Sequence, residues 1–187
     1  MDIPEEVNFN STDYVITDRE LDELEFEIIN LISNCLIQNS KNSDSKSWTT
    51  YIKNILCGLA KERGLVPYAS TEVYPHKEWL WDITWCRETN NNWRKFKEVV
   101  LICESEWWSL DEIISDFHKL MVGVAPYRLL ITEYYSDSNK SWDKIVAECI
   151  NAIVEYGVRE NNYLIIGLPY YETDIKQFGL MYKALTY

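Results

Sequence analysis

Residues 99–103 read Val-Val-Leu-Ile-Cys, an unbroken apolar run, and the run ends in Glu104-Ser105-Glu106. A strand buried on one face alternates apolar and polar residues, whereas a strand buried on both faces does not. The run therefore predicts a central strand with packing layers on both sides. Helices must supply those layers, which sets the class as α/β (α+β), a mixed central β-sheet flanked by helices. The chain has 187 residues, 47% hydrophobic and 14% aromatic, enough for one sizeable core. A single domain over 1–187 is expected.

The flanking segments supply the layers. Thr17-Asp18-Arg19-Glu20 has the form of a capping box, opening a helix through Leu21, Leu24, Ile28, Leu31, Ile32 and Cys35 at a 3.6 period. The polar stretch Gln38–Lys46 is a linker, so residues 1–46 form an acidic leader, an N-terminal helix and a connection. A second helix is expected from about Ser47, burying Tyr51, Ile52, Ile55, Leu56 and Leu59 and stopped by Gly64. Strands are expected over Leu65–Tyr74, Glu78–Glu88 and Lys97–Trp107, the last two joined by a turn at Thr89–Trp93. Ser109 and Glu112 form a capping box for a third helix, and a strand Tyr127–Tyr135 follows. Residues 136–187 add a helix from Ser141 to Tyr156 and strands at Tyr163–Leu168 and Phe178–Tyr187, extending the sheet.

Chemistry is expected where acids interrupt strands. The period of two places Glu104 and Glu106 on one face, continuing Val100 and Ile102. A turn centred near residue 93 makes paired positions add to about 186, which sets Asp82 opposite Glu104. Three converging carboxylates repel one another unless a cation lies between them. Hard oxygen ligands favour Mg²⁺ or Mn²⁺, with Asp82, Glu104 and Glu106 as the candidate metal ligands.

Other classes recede. The formal charge is −12, but residues 1–27 hold ten acids against Arg19 alone, so the acidity is concentrated at the N-terminus. That balance argues against unaided electrostatic binding of DNA. The N-terminal residues lack the basic and apolar regions of a secretory signal, and no apolar run approaches a membrane span. Five scattered cysteines in apolar surroundings read as reduced core residues of a cytoplasmic protein, and two histidines make a zinc site an unsuitable reading. Trp107 and Trp108, at the strand exit, are candidates for stacking on bases. Arg94, Lys95 and Lys97, at the hairpin tip, are candidates for phosphate contact.

The order helix, strand, strand with Asp82, strand ending in Glu104-Ser105-Glu106, helix, strand resembles the αβββαβ core of the PD-(D/E)XK, or restriction-endonuclease-like, nucleases. The resemblance covers roughly residues 47–135. Val100–Trp107 followed by Asp116-Phe117-His118-Lys119-Leu120 also looks like small stand-alone bacterial-type members of that superfamily. The resemblance implies metal-assisted hydrolysis of phosphodiester bonds, with Asp82 and Glu104 holding one or two Mg²⁺ ions. The family's lysine falls at position 106, where this chain has Glu106. It is then an extra ligand, a base or a water-positioner, and Lys119 is the candidate for a migrated ammonium group, set against simple i, i+3 pairing with Asp116. Glu62, on the preceding helix, is the best match to a further acid that the family often carries, with Glu72 the strand alternative.

Two functions follow. One is a Mg²⁺- or Mn²⁺-dependent nuclease acting on nucleic acid. The other is a catalytically inactive interaction protein of the same fold that docks a protein partner, or a second copy of itself, through the acidic helix 18–37. Neither involves a membrane.

Overall fold

The β4 strand, Phe96–Glu106, carries the apolar run and occupies an interior place in a sheet that has seven strands among the described residues, ordered across its width as 17–18, 181–186, 162–169, 127–134, 96–106, 83–88 and 66–68. In the computed structural model, residues 17–39, 45–71, 73, 78–89, 96–135, 139–156, 161–170 and 180–186 are described. The other strands are β1 (Thr17–Asp18), β2 (Val66–Tyr68), β3 (Ile83–Glu88), β5 (Tyr127–Tyr134), β6 (Asn162–Pro169) and β7 (Met181–Thr186). The helices are α1 (Glu23–Asn39), α2 (Ser45–Glu62), α3 (Leu110–Val122) and α4 (Trp142–Tyr156). Strands β4, β5 and β6 run parallel through the crossovers α3 and α4, while the outer pairs are antiparallel. This is an α/β fold with a mixed sheet. No described helix is long and apolar enough to cross a membrane.

The two-sided burial expected of the run is present. Leu101 and Cys103 pack with Ile28, Ile32, Ile52 and Leu56 of α1 and α2, while Ile102 packs with Phe117 of α3 and Ile145 of α4. Leu129, Leu130 and Ile131 of β5 alternate between the same two clusters. One correction concerns Val100. Leu101 pairs with Trp85 and Val99 with Cys86, so Val100 has no counterpart and forms a bulge. It packs with the α1/α2 cluster beside Leu101, not on the Ile102 side as a strict period of two requires.

Local signals explain the helix ends. Gly64 adopts φ +70°, with Gly64 N–H bonded to Lys61 O and Leu65 N–H to Ala60 O, the paired closure that a left-handed residue permits. Ser109 and Glu112 cap α3 reciprocally as expected. The start of α1 differs. Thr17 and Asp18 pair with Thr186 and Leu185 of β7, and the reciprocal cap forms five residues later, at Asp22. There Asp22 Oδ1 accepts from Glu25 N–H at 2.9 Å and Glu25 Oε2 accepts from Asp22 N–H at 3.2 Å. Arg19 decides between the frames: its guanidinium clamps buried Glu25 in an ion pair and its N–H bonds Ala184 O, tying the segment to β7.

The sequence overestimates the second and third strands. Pairing of β2 is confined to Val66–Tyr68 opposite Thr84–Cys86, consistent with Pro67 withholding a ladder donor. Strand β3 starts at Ile83, and residues 80–82 form a bend. Tyr51, expected in the core, is 39% exposed.

Candidate functional site

The lower end of the β3–β4 hairpin keeps the expected register. Ile83 pairs with Cys103, Thr84 with Ile102 and Trp85 with Leu101, positions that add to 186. Shifts occur only nearer the turn. Asp82 lies one residue before β3, beside Glu104, and its N–H donates to Glu104 Oε2 at 3.4 Å. Because the strand has ended, Ser105 N–H lacks a backbone carbonyl on that side. Asp82 Oδ2 replaces it, accepting from Ser105 N–H at 3.0 Å and Ser105 Oγ at 2.7 Å. The carboxylate thus caps the open end of the ladder.

Two lysines from opposite layers meet this pair. From α2, Lys53 Nζ stands 3.2 Å from Asp82 Oδ1 and donates to Glu78 Oε1 at 2.5 Å. Burial alone pushes the Lys53 ammonium down, but the Glu78 hydrogen bond and the Asp82 charge outweigh it and hold the group above its ordinary value. From α3, Lys119 Nζ lies 2.7 Å from Asp116 Oδ1 and 3.5 Å from Glu104 Oε1. The i, i+3 pair therefore forms, and the same ammonium faces Glu104. The Lys119 side chain is 52% exposed and that of Lys53 only 8%, so only the first opens widely to solvent.

Glu104 is the most perturbed acid of the group. It is 3% exposed, and its Oε1 is buried with no hydrogen-bond partner. Loss of hydration, followed by the charges of Asp82 and Asp116, pushes its carboxyl up to about 7. A buried carboxylate oxygen without a donor is costly unless a proton or a cation meets it, and Lys119 meets this one only at 3.5 Å, standing closer to Asp116.

Glu106 does something else. Its Oε1 accepts from Trp107 N–H and Trp108 N–H, both at 2.8 Å, and so satisfies the turn between β4 and α3. That engagement separates it from the pair, and no three acid, His or Cys side chains among the described residues group as a metal site. The expected Asp82–Glu104–Glu106 triad is thus an Asp82–Glu104 pair.

Other expected residues lie elsewhere. Trp107 is 7% exposed, and its indole donates to Thr49 Oγ1 of α2 at 2.6 Å, so it is packed away from solvent and from base stacking. Trp108 is 72% exposed. Lys97 is exposed, but seven positions before Glu104 place it about 23 Å away along the strand. Arg94 and Lys95 lie outside the described residues, as does Glu72. Glu62 is exposed at the end of α2, about 13 Å along the helix from Lys53. A period of two over residues 79–85 would set Trp79, Trp81 and Trp85 on one face opposite Asp82, but residues 80–82 bend and the three do not share a face. Trp85 is fully buried, Trp79 is 47% exposed, and Trp81 packs with the α3/α4 cluster and donates to Lys119 O at 3.2 Å.

Sequence reasoning missed Lys53. The signal was present: Lys53, Leu56, Cys57 and Ala60 follow helical spacing, and the last three are fully buried. A lysine on such a stripe requires acid partners nearby. The chain matches no protein-family model, no curated protein and no solved structure. Function must therefore be argued from the site.

Proposed function

We propose that the protein is a Mg²⁺- or Mn²⁺-dependent nuclease-like hydrolase of nucleic-acid phosphodiester bonds, with Asp82 and Glu104 as its metal-holding carboxylates. One observation carries the reading: two carboxylates, Asp82 and buried Glu104, stand side by side, and Glu104 Oε1 has no hydrogen bond of good geometry and only a 3.5 Å ion pair with Lys119. The donor set fits a hard divalent ion, since both groups offer carboxylate oxygen and Asp82 is already fixed by Ser105. The sequence α2, β2, β3, β4, α3, β5 also supports the reading, because it follows the element order of the resemblance.

When bound, the ion supplies neutralisation of phosphate charge and acidification of a coordinated water. The chain's residues have separate tasks. Ser105 and Lys53 orient Asp82. Lys119, half exposed, meets the incoming phosphate and takes the electrostatic role that a lysine at 106 has in the family. Glu106 keeps the strand exit folded and holds no metal.

The second reading, a non-catalytic interaction protein, is favoured by Glu106 standing where the family has lysine. Its acidic docking helix is less favoured. Glu25 is buried against Arg19, and Glu27 is paired with Arg63. The test is a cleavage assay with Mn²⁺ on single- and double-stranded DNA and RNA. Wild type is expected to cleave at least one substrate, and Asp82→Asn and Glu104→Gln to lose the activity at least a hundredfold. Cleavage that survives both substitutions contradicts the assignment.

A further inference from the structure

We infer that the substrate is a single strand, its bases stacking on the exposed indoles of Trp108 and Trp79 as its phosphate reaches Lys119. The inference rests on the nuclease reading and adds the substrate class.

Large exposed aromatic rings cost solvation and usually mark a contact. Trp108 is 72% exposed and Trp79 47% exposed. Trp108 follows Glu104 by four residues and Trp79 precedes Asp82 by three, so chain length holds them within about 14 Å and 11 Å of those carboxylates. That span is on the order of one or two nucleotide steps. Both residues are tied to the fold. The Trp108 backbone N–H is held by Glu106, and the Trp79 ring lies 6.3 Å from that of Tyr68 at an interplanar angle of 39°. Stacking of this kind is open to unpaired bases and closed to bases inside a duplex.

The charges point the same way. A protein that grips duplex DNA spreads free lysines and arginines along the backbone track. Here Arg19, Arg63, Arg87, Lys140 and Lys183 are in ion pairs with acids of the chain, and Arg128 is buried with its guanidinium on Gly123 O. Most described cations are thus committed internally. Lys119 is paired too, 2.7 Å from Asp116 and 3.5 Å from Glu104, but its side chain stays 52% exposed and is the local phosphate contact, with stacking adding to the affinity.

The test measures anisotropy of a labelled twelve-residue oligothymidylate and of a labelled mixed-sequence duplex of the same length, in EDTA. It is paired with cleavage of both in Mn²⁺. The single strand is expected to bind at least about tenfold more tightly than the duplex and to be the one cleaved. Trp108→Ala is expected to weaken single-strand binding by about fivefold or more, the value of one stacked base, and Trp79→Ala to weaken it similarly. Equal or tighter duplex binding, duplex cleavage without single-strand cleavage, or unchanged binding in both variants overturns the inference while the nuclease reading stands. Failure to bind or cleave any nucleic acid overturns both.

Discussion

Glu104 shows how burial and neighbouring charge combine at a single position. Its carboxyl titrates near 7 in the folded chain against an ordinary 4.5, so the folded state binds the extra proton between those values. Stability therefore falls as pH rises through that window and is lowest above 7. The separation corresponds to about 3 kcal/mol. Glu104→Gln removes the charge and keeps the shape. Urea denaturation in EDTA is expected to find the variant more stable than wild type at pH 8, by up to about 3 kcal/mol, with the gap closing towards pH 5. A variant less stable at pH 8 contradicts the account of that carboxylate. Of this residue the sequence showed the place, since a period of two and a hairpin register suffice to bring Glu104 to Asp82. It did not show the burial, which depends on α3 closing over the sheet. Nor did it show that Glu106 would turn to the Trp107 and Trp108 amides, a choice made by unpaired donors in the turn.

At the scale of elements, the legible features are those fixed by local chemistry: the Ser109 cap, the Gly64 stop and the central strand. The illegible ones depend on distant partners. The shift of the α1 cap from Thr17 to Asp22 requires Arg19 to find Glu25 and β7, and the Val100 bulge requires a pairing choice in the hairpin. Gly123 belongs to the second kind. It ends α3 with its N–H on Leu120 O, and a Cβ there lies 2.2 Å from Ile102 Cδ1 and 2.8 Å from Trp81 Cζ2. The glycine lets Trp81 and β4 close against the end of α3 next to the carboxylate pair. Gly123→Ala is expected to destabilise the chain by about 1–3 kcal/mol, the usual cost of overpacking. Val124→Ala, at a position 86% exposed, is expected to change stability by less than about 0.5 kcal/mol. Thermal denaturation of the two variants side by side checks the contrast.

At the scale of the molecule, two helical layers clamp a sheet whose interior strand ends at the site. Each layer delivers one lysine: Lys53 comes from the α1/α2 side and Lys119 from the α3/α4 side, so the charges around Asp82 and Glu104 report the docking of both layers. That arrangement explains why pattern reading found the acids and missed the buried lysine. Acids on a strand are visible as breaks in an apolar run, whereas a lysine on a helix acquires meaning only when the helix is packed. The net charge of −12 is compatible with such a site, because a cation at the carboxylates and stacking at Trp108 can act where a basic surface cannot.

Titration calorimetry with Mn²⁺ at pH 8 tests the central claim most directly. The account predicts saturable binding to wild type, loss of that binding in Asp82→Ala and Glu104→Ala, and its retention in Glu106→Ala. No binding by wild type, or binding that depends on Glu106 and not on Asp82, contradicts it.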